Sequence, residues 1–213
     1  VGAGTMGGGI AMSFADFGIP VKVLEVSRDV LEKGMQRVRD NYATSVKRGS
    51  LKQSEMDERL KRFTPVERYE DIADCDVVIE AVFERIDVKK DVFAKLEAVM
   101  KPGAILATNT SMLDINVIAN STSRPGDVIG MHFFSPANIM KLVEVIRGSA
   151  TAQDVLATTM KLSMMLNYAG GFHAAVDRVV SCNKCLAIPT NRRIVGRRSV
   201  EHVSAINFLG LEE

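Results

Sequence analysis

The sequence predicts an α/β chain with a doubly wound, mostly parallel sheet, and three observations carry that expectation. The chain opens on Val1-Gly2-Ala3-Gly4-Thr5-Met6-Gly7-Gly8-Gly9-Ile10, where Gly2, Gly4 and Gly7 fit the G-x-G-x-x-G turn that joins a strand to a helix. An apolar run ending in an acid follows, Pro20 to Glu25, placing Glu25 18 residues after Gly7. Beyond it, continuous apolar runs alternate with segments of helical period, as in strands covered on both faces by crossover helices.

Each element has its own grounds. Gly2 makes the tight turn, Gly4 lets the backbone approach a pyrophosphate, and Gly7 lets helix pack on strand. Amides at the helix start then hold the phosphate charge. Ile10, Phe14 and Phe17 supply the apolar spacing of that helix before Gly18 stops it. A carboxylate at Glu25 accepts hydrogen bonds from an adenosine ribose and repels a 2′-phosphate, which selects NAD over NADP. Ser27 caps a helix with the buried stripe Leu31, Met35, Val38, Tyr42 and Val46, ending at Gly49. A second helix starts at Ser54, with Asp57 completing a capping box, and buries Met56, Leu60 and Phe63. Asp76 to Val82 is a strand covered on both faces, and Val88 to Met100 a helix stopped by Lys101-Pro102-Gly103. Strands at Ala104 to Thr108, Val128 to His132 and Leu142 to Ile146 follow, then a helix from Ala152 to Leu166.

At 213 residues, 46% of them apolar, the chain suffices for one substantial domain, or one domain and part of another. A net charge of +1 gives no support for a nucleic-acid partner. No run approaches the roughly 18 apolar residues that cross a bilayer. Cys75, Cys182 and Cys185 are too few for a disulfide framework and point to a reducing compartment. Cys182-Asn183-Lys184-Cys185 lacks the second pair or nearby His of a metal site, so no metal is expected. Only Val1 precedes Gly2, although the turn needs a whole strand before it. The chain is therefore expected to be a piece of a longer protein, with any targeting segment outside it. Beyond about residue 170 the period fades and Arg178, Arg192, Arg193, Arg197 and Arg198 accumulate without interleaved aromatics, as in a solvated tail.

Three stretches carry chemistry: Thr108-Asn109-Thr110-Ser111, Gly130 to Pro136, and Leu142 to Gly148. Ser111 follows a strand end at the carboxyl edge, where open α/β sheets bind ligands, and His132 ends a strand on that same edge. Glu144 lies inside an apolar run, where a carboxylate is costly unless paired; His132, 12 residues upstream across one short reversal, is a suitable partner. Such a pair suits oxidation of a secondary alcohol. An imidazole titrates near neutrality and takes the hydroxyl proton as hydride leaves, while a carboxylate on its other nitrogen fixes the tautomer. A Ser hydroxyl then bonds the reacting oxygen.

With GAGTMGGGIA, EAVFE, ATNTS, GMHFFSPA and LVEVIRG, the chain resembles the L-3-hydroxyacyl-CoA dehydrogenases of fatty-acid β-oxidation from Val1 to about Leu166. HFFSPA resembles the versions fused to an enoyl-CoA hydratase. The resemblance implies NAD-dependent oxidation of an (S)-3-hydroxyacyl-CoA, with His132 and Glu144 as the catalytic pair and Ser111 touching substrate and cofactor. It also implies NAD contacts at Met6, Glu25, Glu84, Lys89 and Ser135, and a CoA-facing excursion around Asn41, Lys47 and Arg48. Glu25 stands where the family often has Asp, and Ser135 where it often has Asn. On this basis residues 1–176 form a Rossmann-like NAD-binding domain, and residues 177–213 a truncated remnant of the family's helical dimerisation domain. There the D-x-x-G-F-x-x-N-R motif meets Asp177 to Lys184 without its Gly-Phe, and Asn183, one residue early, is the match for a substrate contact. The intact protein is expected to be a homodimer or part of a larger multifunctional chain. Its compartment is expected to be cytoplasmic, with peroxisome or mitochondrion as eukaryotic alternatives. Two other functions stand beside this one. The first is an NAD-binding module whose catalysis is lost. The second is an NADP-linked β-hydroxyacid dehydrogenase, although those enzymes usually rely on a Lys base where this chain has His132 and Glu144.

Overall fold

A computed structural model describes residues 1–140 and 142–166. The expectations for Asn183, the Cys182–Cys185 pair, the basic tail and the remnant domain lie outside the described residues. In chain order the elements are α1 (Thr5–Asp16), β1 (Val21–Leu24), α2 (Arg28–Lys47), α3 (Gln53–Leu60), β2 (Phe63–Val66), β3 (Val77–Glu80) and α4 (Ile86–Val99). Then come β4 (Ile105–Thr108), α5 (Ile115–Ala119), β5 (Val128–Phe133), β6 (Val143–Ile146) and α6 (Gln153–Met165), with short 3-10 turns at Tyr69–Ile72 and Pro125–Asp127.

Strands β3, β4 and β5 are parallel neighbours, and β6 closes that sheet antiparallel to β5. Strands β1 and β2 form a separate parallel pair. Val1-Gly2 joins the two sheets: the Gly2 amide donates to the Leu24 carbonyl at 2.8 Å, and the Ala81 amide to the Val1 carbonyl at 2.9 Å. Beside this link lies an apolar cavity of about 140 Å³ lined by Val21, Val23, Val77, Ile79, Ile10 and Leu162, among others.

Side chains alternate across a strand, so each strand of the larger sheet feeds two cores. Ile105, Ala107, Ile129, Met131, Val143 and Val145 pack under α1 and α6. Val78, Leu106, Val128 and Ile146 pack under α4 and α5, against Phe93, Leu96, Ile115 and Ile118. A third cluster holds α2 and β2 to α1 through Met35, Val38, Tyr42, Phe63 and Ala15. Both faces are covered, which is the doubly wound arrangement the sequence predicts.

Local expectations need correction in four places. Helix α3 begins at Gln53, and Glu55, not Asp57, takes the Lys52 amide at 2.8 Å. Phe63 opens β2 instead of ending a helix. That strand went unrecognised because Pro65 lies inside it, and an edge position makes the missing N–H tolerable. Ser27 stands at the start of α2 without a side-chain cap bond. Phe17 follows α1 at 43% exposure, and Ile19 fills the core place predicted for it. The five-residue α5 also escaped the sequence reading, being too short to show a period; Asp114 caps it through the Asn116 amide at 2.8 Å.

Candidate active site

The opening turn is built by close approach. Gly2 has φ +94°, and a Cβ there would lie 2.8 Å from the Ala81 carbonyl oxygen. A Cβ on Gly7 would lie 1.8 Å from the Gly2 oxygen, whereas one on Gly4 would meet nothing within 4 Å. Gly4 therefore faces open space, as a backbone that approaches a pyrophosphate must. It precedes α1, whose first turn has neither a side-chain cap nor an acid, leaving its amides to an anion. Helix α2 crosses the turn closely because Gly34 has no side chain; a Cβ there would lie 2.4 Å from the Ala3 oxygen. Arg37 donates to that oxygen at 2.8 Å. Glu25, just past β1, accepts the Ala3 and Ser27 amides at 3.3 Å each, so its carboxylate lies beside the turn. Open glycine, uncapped amides and adjacent carboxylate together fit a dinucleotide. Met6 is half-buried in the first turn of α1.

At the carboxyl edge of the larger sheet, His132 and Glu144 are register partners across β5 and β6. His132 Nδ1 lies 2.9 Å from Glu144 Oε2, with the two side chains 13% and 10% exposed. A carboxylate only accepts, so Nδ1 carries the proton and Nε2 is the nitrogen left for proton transfer. The Phe134 ring packs against the imidazole at a centroid distance of 4.7 Å. Period two puts His132 on the same face as Gly130 and Val128. A Cβ on Gly130 would come within 2.9 Å of Ile146 Cβ and 3.0 Å of Ile115 Cδ1. The neighbouring strand end is stitched on by Asn109, whose Oδ1 accepts the Phe133 amide at 2.8 Å. Ser111 is exposed in the loop three residues past the end of β4, whose Thr108 is the register partner of Gly130 on the strand that carries His132.

The Ser111 loop is held by Glu84. Glu84 Oε1 accepts the Thr110 hydroxyl at 2.5 Å, the Ser111 amide at 2.8 Å and hydroxyl at 3.3 Å, and the Met112 amide at 3.3 Å. Burial opposes its ionisation, but the Thr110 and Ser111 hydrogen bonds and the Lys89 charge outweigh burial and hold the carboxyl below its usual value. Lys89 is fully buried, its ammonium 2.7 and 2.9 Å from the Glu80 oxygens and 3.4 Å from Glu84 Oε2. Resemblance alone points Lys89 at the cofactor; the structure puts its charge between two carboxylates. The sequence reading gave no role to Glu80 or to Asn109. Glu80 carried the signal that exposed Glu144, an acid inside an apolar strand.

Ser135 is exposed in the loop after β5. Asn41 and Lys47 are exposed on the later half of α2 and Arg48 at its C-cap, with Asn41 Nδ2 3.7 Å from Met12 Sδ. Among the described residues no group of His, Cys, Asp and Glu could hold a metal ion, and no helix is long and apolar enough to cross a membrane.

Comparison with known proteins identifies the family of this domain. Residues 1–169 match the NAD-binding domain of 3-hydroxyacyl-CoA dehydrogenase. The chain is 46% identical over 167 residues to a peroxisomal bifunctional enzyme of Cavia porcellus, covering 76% of this chain and 22% of that one. It is 41% identical over 167 residues to a 3-hydroxybutyryl-CoA dehydrogenase of Clostridioides difficile, covering 78% of this chain and 59% of that one. The crystal structure of 3-hydroxybutyryl-CoA dehydrogenase from Escherichia coli K12 superposes with a TM-score of 0.76 at 40% identity, over 78% of this chain and 35% of that one. The chain thus spans between a fifth and three fifths of the length of these relatives.

Proposed function

The chain belongs to the 3-hydroxyacyl-CoA dehydrogenase family through its NAD-binding domain, and from that premise we propose that it forms the cofactor-binding and proton-transferring part of an enzyme oxidising (S)-3-hydroxyacyl-CoA to 3-oxoacyl-CoA. One observation carries the reading. The 2.9 Å His132–Glu144 pair stands at the carboxyl edge of the larger sheet, where Ser111 follows β4 and where the glycine turn is hydrogen-bonded to the carboxyl ends of β1 and β3. Bound NAD supplies the hydride acceptor. The glycine turn and the α1 amides hold its phosphates, and Glu25 its adenosine ribose. The Ser111 hydroxyl turns from Glu84 Oε1, 3.3 Å away, to donate its one hydrogen to the substrate's C3 oxygen and orients it. His132 takes the hydroxyl proton at Nε2 in oxidation and returns it there in reduction. Glu144 keeps Nδ1 protonated and stabilises the imidazolium formed in the step.

Asn41 and Arg48 serve as donors to the CoA phosphates, and the intact protein works as a homodimer or within a longer multifunctional chain. Steady-state oxidation of 3-hydroxybutyryl-CoA with NAD, alongside calorimetric titration of NAD, tests the reading. Turnover that depends on His132 supports it. NAD binding with no turnover assigns the chain to binding without catalysis.

A further inference from the structure

Glu80, the last residue of β3, is fully buried. Both its oxygens are saturated: Oε1 accepts the Val82 amide and the Lys89 ammonium at 2.7 Å each, and Oε2 accepts Lys89 at 2.9 Å and the Thr108 hydroxyl at 2.6 Å. Lys89, in the first turns of α4, is equally buried, and its remaining contact is Glu84 Oε2 at 3.4 Å. Glu84 is one-third exposed, and its other oxygen gathers Thr110, Ser111 and Met112. A line of groups therefore runs outward from beneath the sheet edge: carboxylate, ammonium, carboxylate, Ser111.

An ammonium is costly to bury without a paired anion, and removing one member of a buried pair costs far more than never having had it. A carboxylate that is partly in water does not balance such a charge alone. With Glu80 beneath it, Lys89 stays where water does not reach and tethers one oxygen of Glu84. The other oxygen is left to the Ser111 loop. Resting on the reading of Ser111 as the hydroxyl that meets the substrate, we propose that Glu80 is a positioning residue for the dehydrogenation, fixing the Glu84 carboxylate through Lys89 and so holding Ser111 at the mouth of the site. Register supports this: Glu80 pairs with Thr108, and Thr108 with Gly130, so one row of the sheet leads from Glu80 to the strand that carries His132.

The test is Glu80→Gln in the full chain, which keeps the size and one acceptor oxygen but withdraws the charge. Without cofactor, amide exchange at Ser111 and Met112 should become roughly tenfold faster or more, while amides of β6 hold their rates. In turnover of acetoacetyl-CoA with NADH, kcat should fall roughly 10- to 100-fold in the native background. It should fall no further in a Ser111→Ala background, because the lost positioning then has nothing to act on. Unchanged exchange at Ser111 and Met112, or an equal fold-loss in both backgrounds, overturns the proposal. Should Glu80→Gln fail to fold, Glu80→Gln combined with Lys89→Met removes both charges together; undisturbed Ser111 exchange in that variant overturns it equally. A native chain without any turnover sinks the dehydrogenase reading instead, and the exchange measurement still decides whether Glu80 anchors the Ser111 loop.

Discussion

The two sheets of this domain are held by different means. In the four-stranded sheet, β4 and β6 are buried at every position, and polar side chains bridge neighbouring strand ends: Glu80 to Thr108, Asn109 to Phe133, His132 to Glu144. In the β1–β2 pair burial is partial, and the shaping is done by absence of side chains, at Gly2, Gly7 and Gly34, with Glu25 and Arg37 bonding to backbone. The contrast fits the tasks proposed for the two regions. A proton transfer needs side chains at fixed distances in a dry setting, where a satisfied polar network is stiff. A phosphate needs backbone amides, and only missing side chains let it reach them. The glycine-turn region is thus defined by what is left out, the His132–Glu144 region by what is paired.

The sharpest way to break this division is at the pair. His132→Ala should lower kcat by roughly two to four orders of magnitude with NAD affinity nearly unchanged, and Glu144→Gln should lower it less, since Glu144 orients and does not itself take the proton. Full turnover of acetoacetyl-CoA by His132→Ala would remove the base. Next in size is the nucleotide end. Gly34→Ala puts a methyl 2.4 Å from the Ala3 oxygen and should cost about 1–3 kcal/mol of stability in chemical denaturation, with NAD affinity falling in parallel. Native stability in that variant would mean that α2 can slide over the turn. Smaller again, Glu25→Ala should weaken NAD by about tenfold while raising NADP relative to it; titrating both cofactors reads the ratio, and an unaltered ratio removes Glu25 from cofactor choice.

The smallest effect lies within the catalytic end. Glu84 titrates below the ordinary glutamate value of 4.5 in the folded chain. The fold prefers its ionised form, so the stability it contributes is present above the unfolded value and is lost as pH falls through the folded one. Protection factors of the Ser111 and Met112 amides should therefore decline as pH drops below 4.5, ahead of those in β6. Simultaneous loss in both places would show that Glu84 has no separate hold on the loop.

Much of this was legible in the chain because it depends on short-range rules. Glycine spacing announces the turn, since the missing Cβ atoms of Gly2 and Gly7 answer to the backbone at Ala81 and Gly2, while Gly4 leaves its backbone open. Glu144 inside Leu142–Ile146 announces a partner, since an unpaired acid in a buried strand is too costly to keep. Phe63 and Phe17 misled for the converse reason. Helical spacing assigned each to a helix face, but Phe63 starts an edge strand and Phe17 lies past the end of α1, where Ile19 takes the buried place.

By itself the sequence determined the doubly wound class, the nucleotide turn, the family and the need of Glu144 for a partner, because periodicity, glycine placement and the cost of buried charge act on neighbouring residues. Only the tertiary structure decided that Lys89 is sealed between Glu80 and Glu84, that Asn109 ties β4 to β5, and that β6 runs against β5 to bring Glu144 opposite His132. Those contacts join residues up to dozens of positions apart through strand register and helix placement, and no local pattern encodes which distant donor a buried carboxylate will meet.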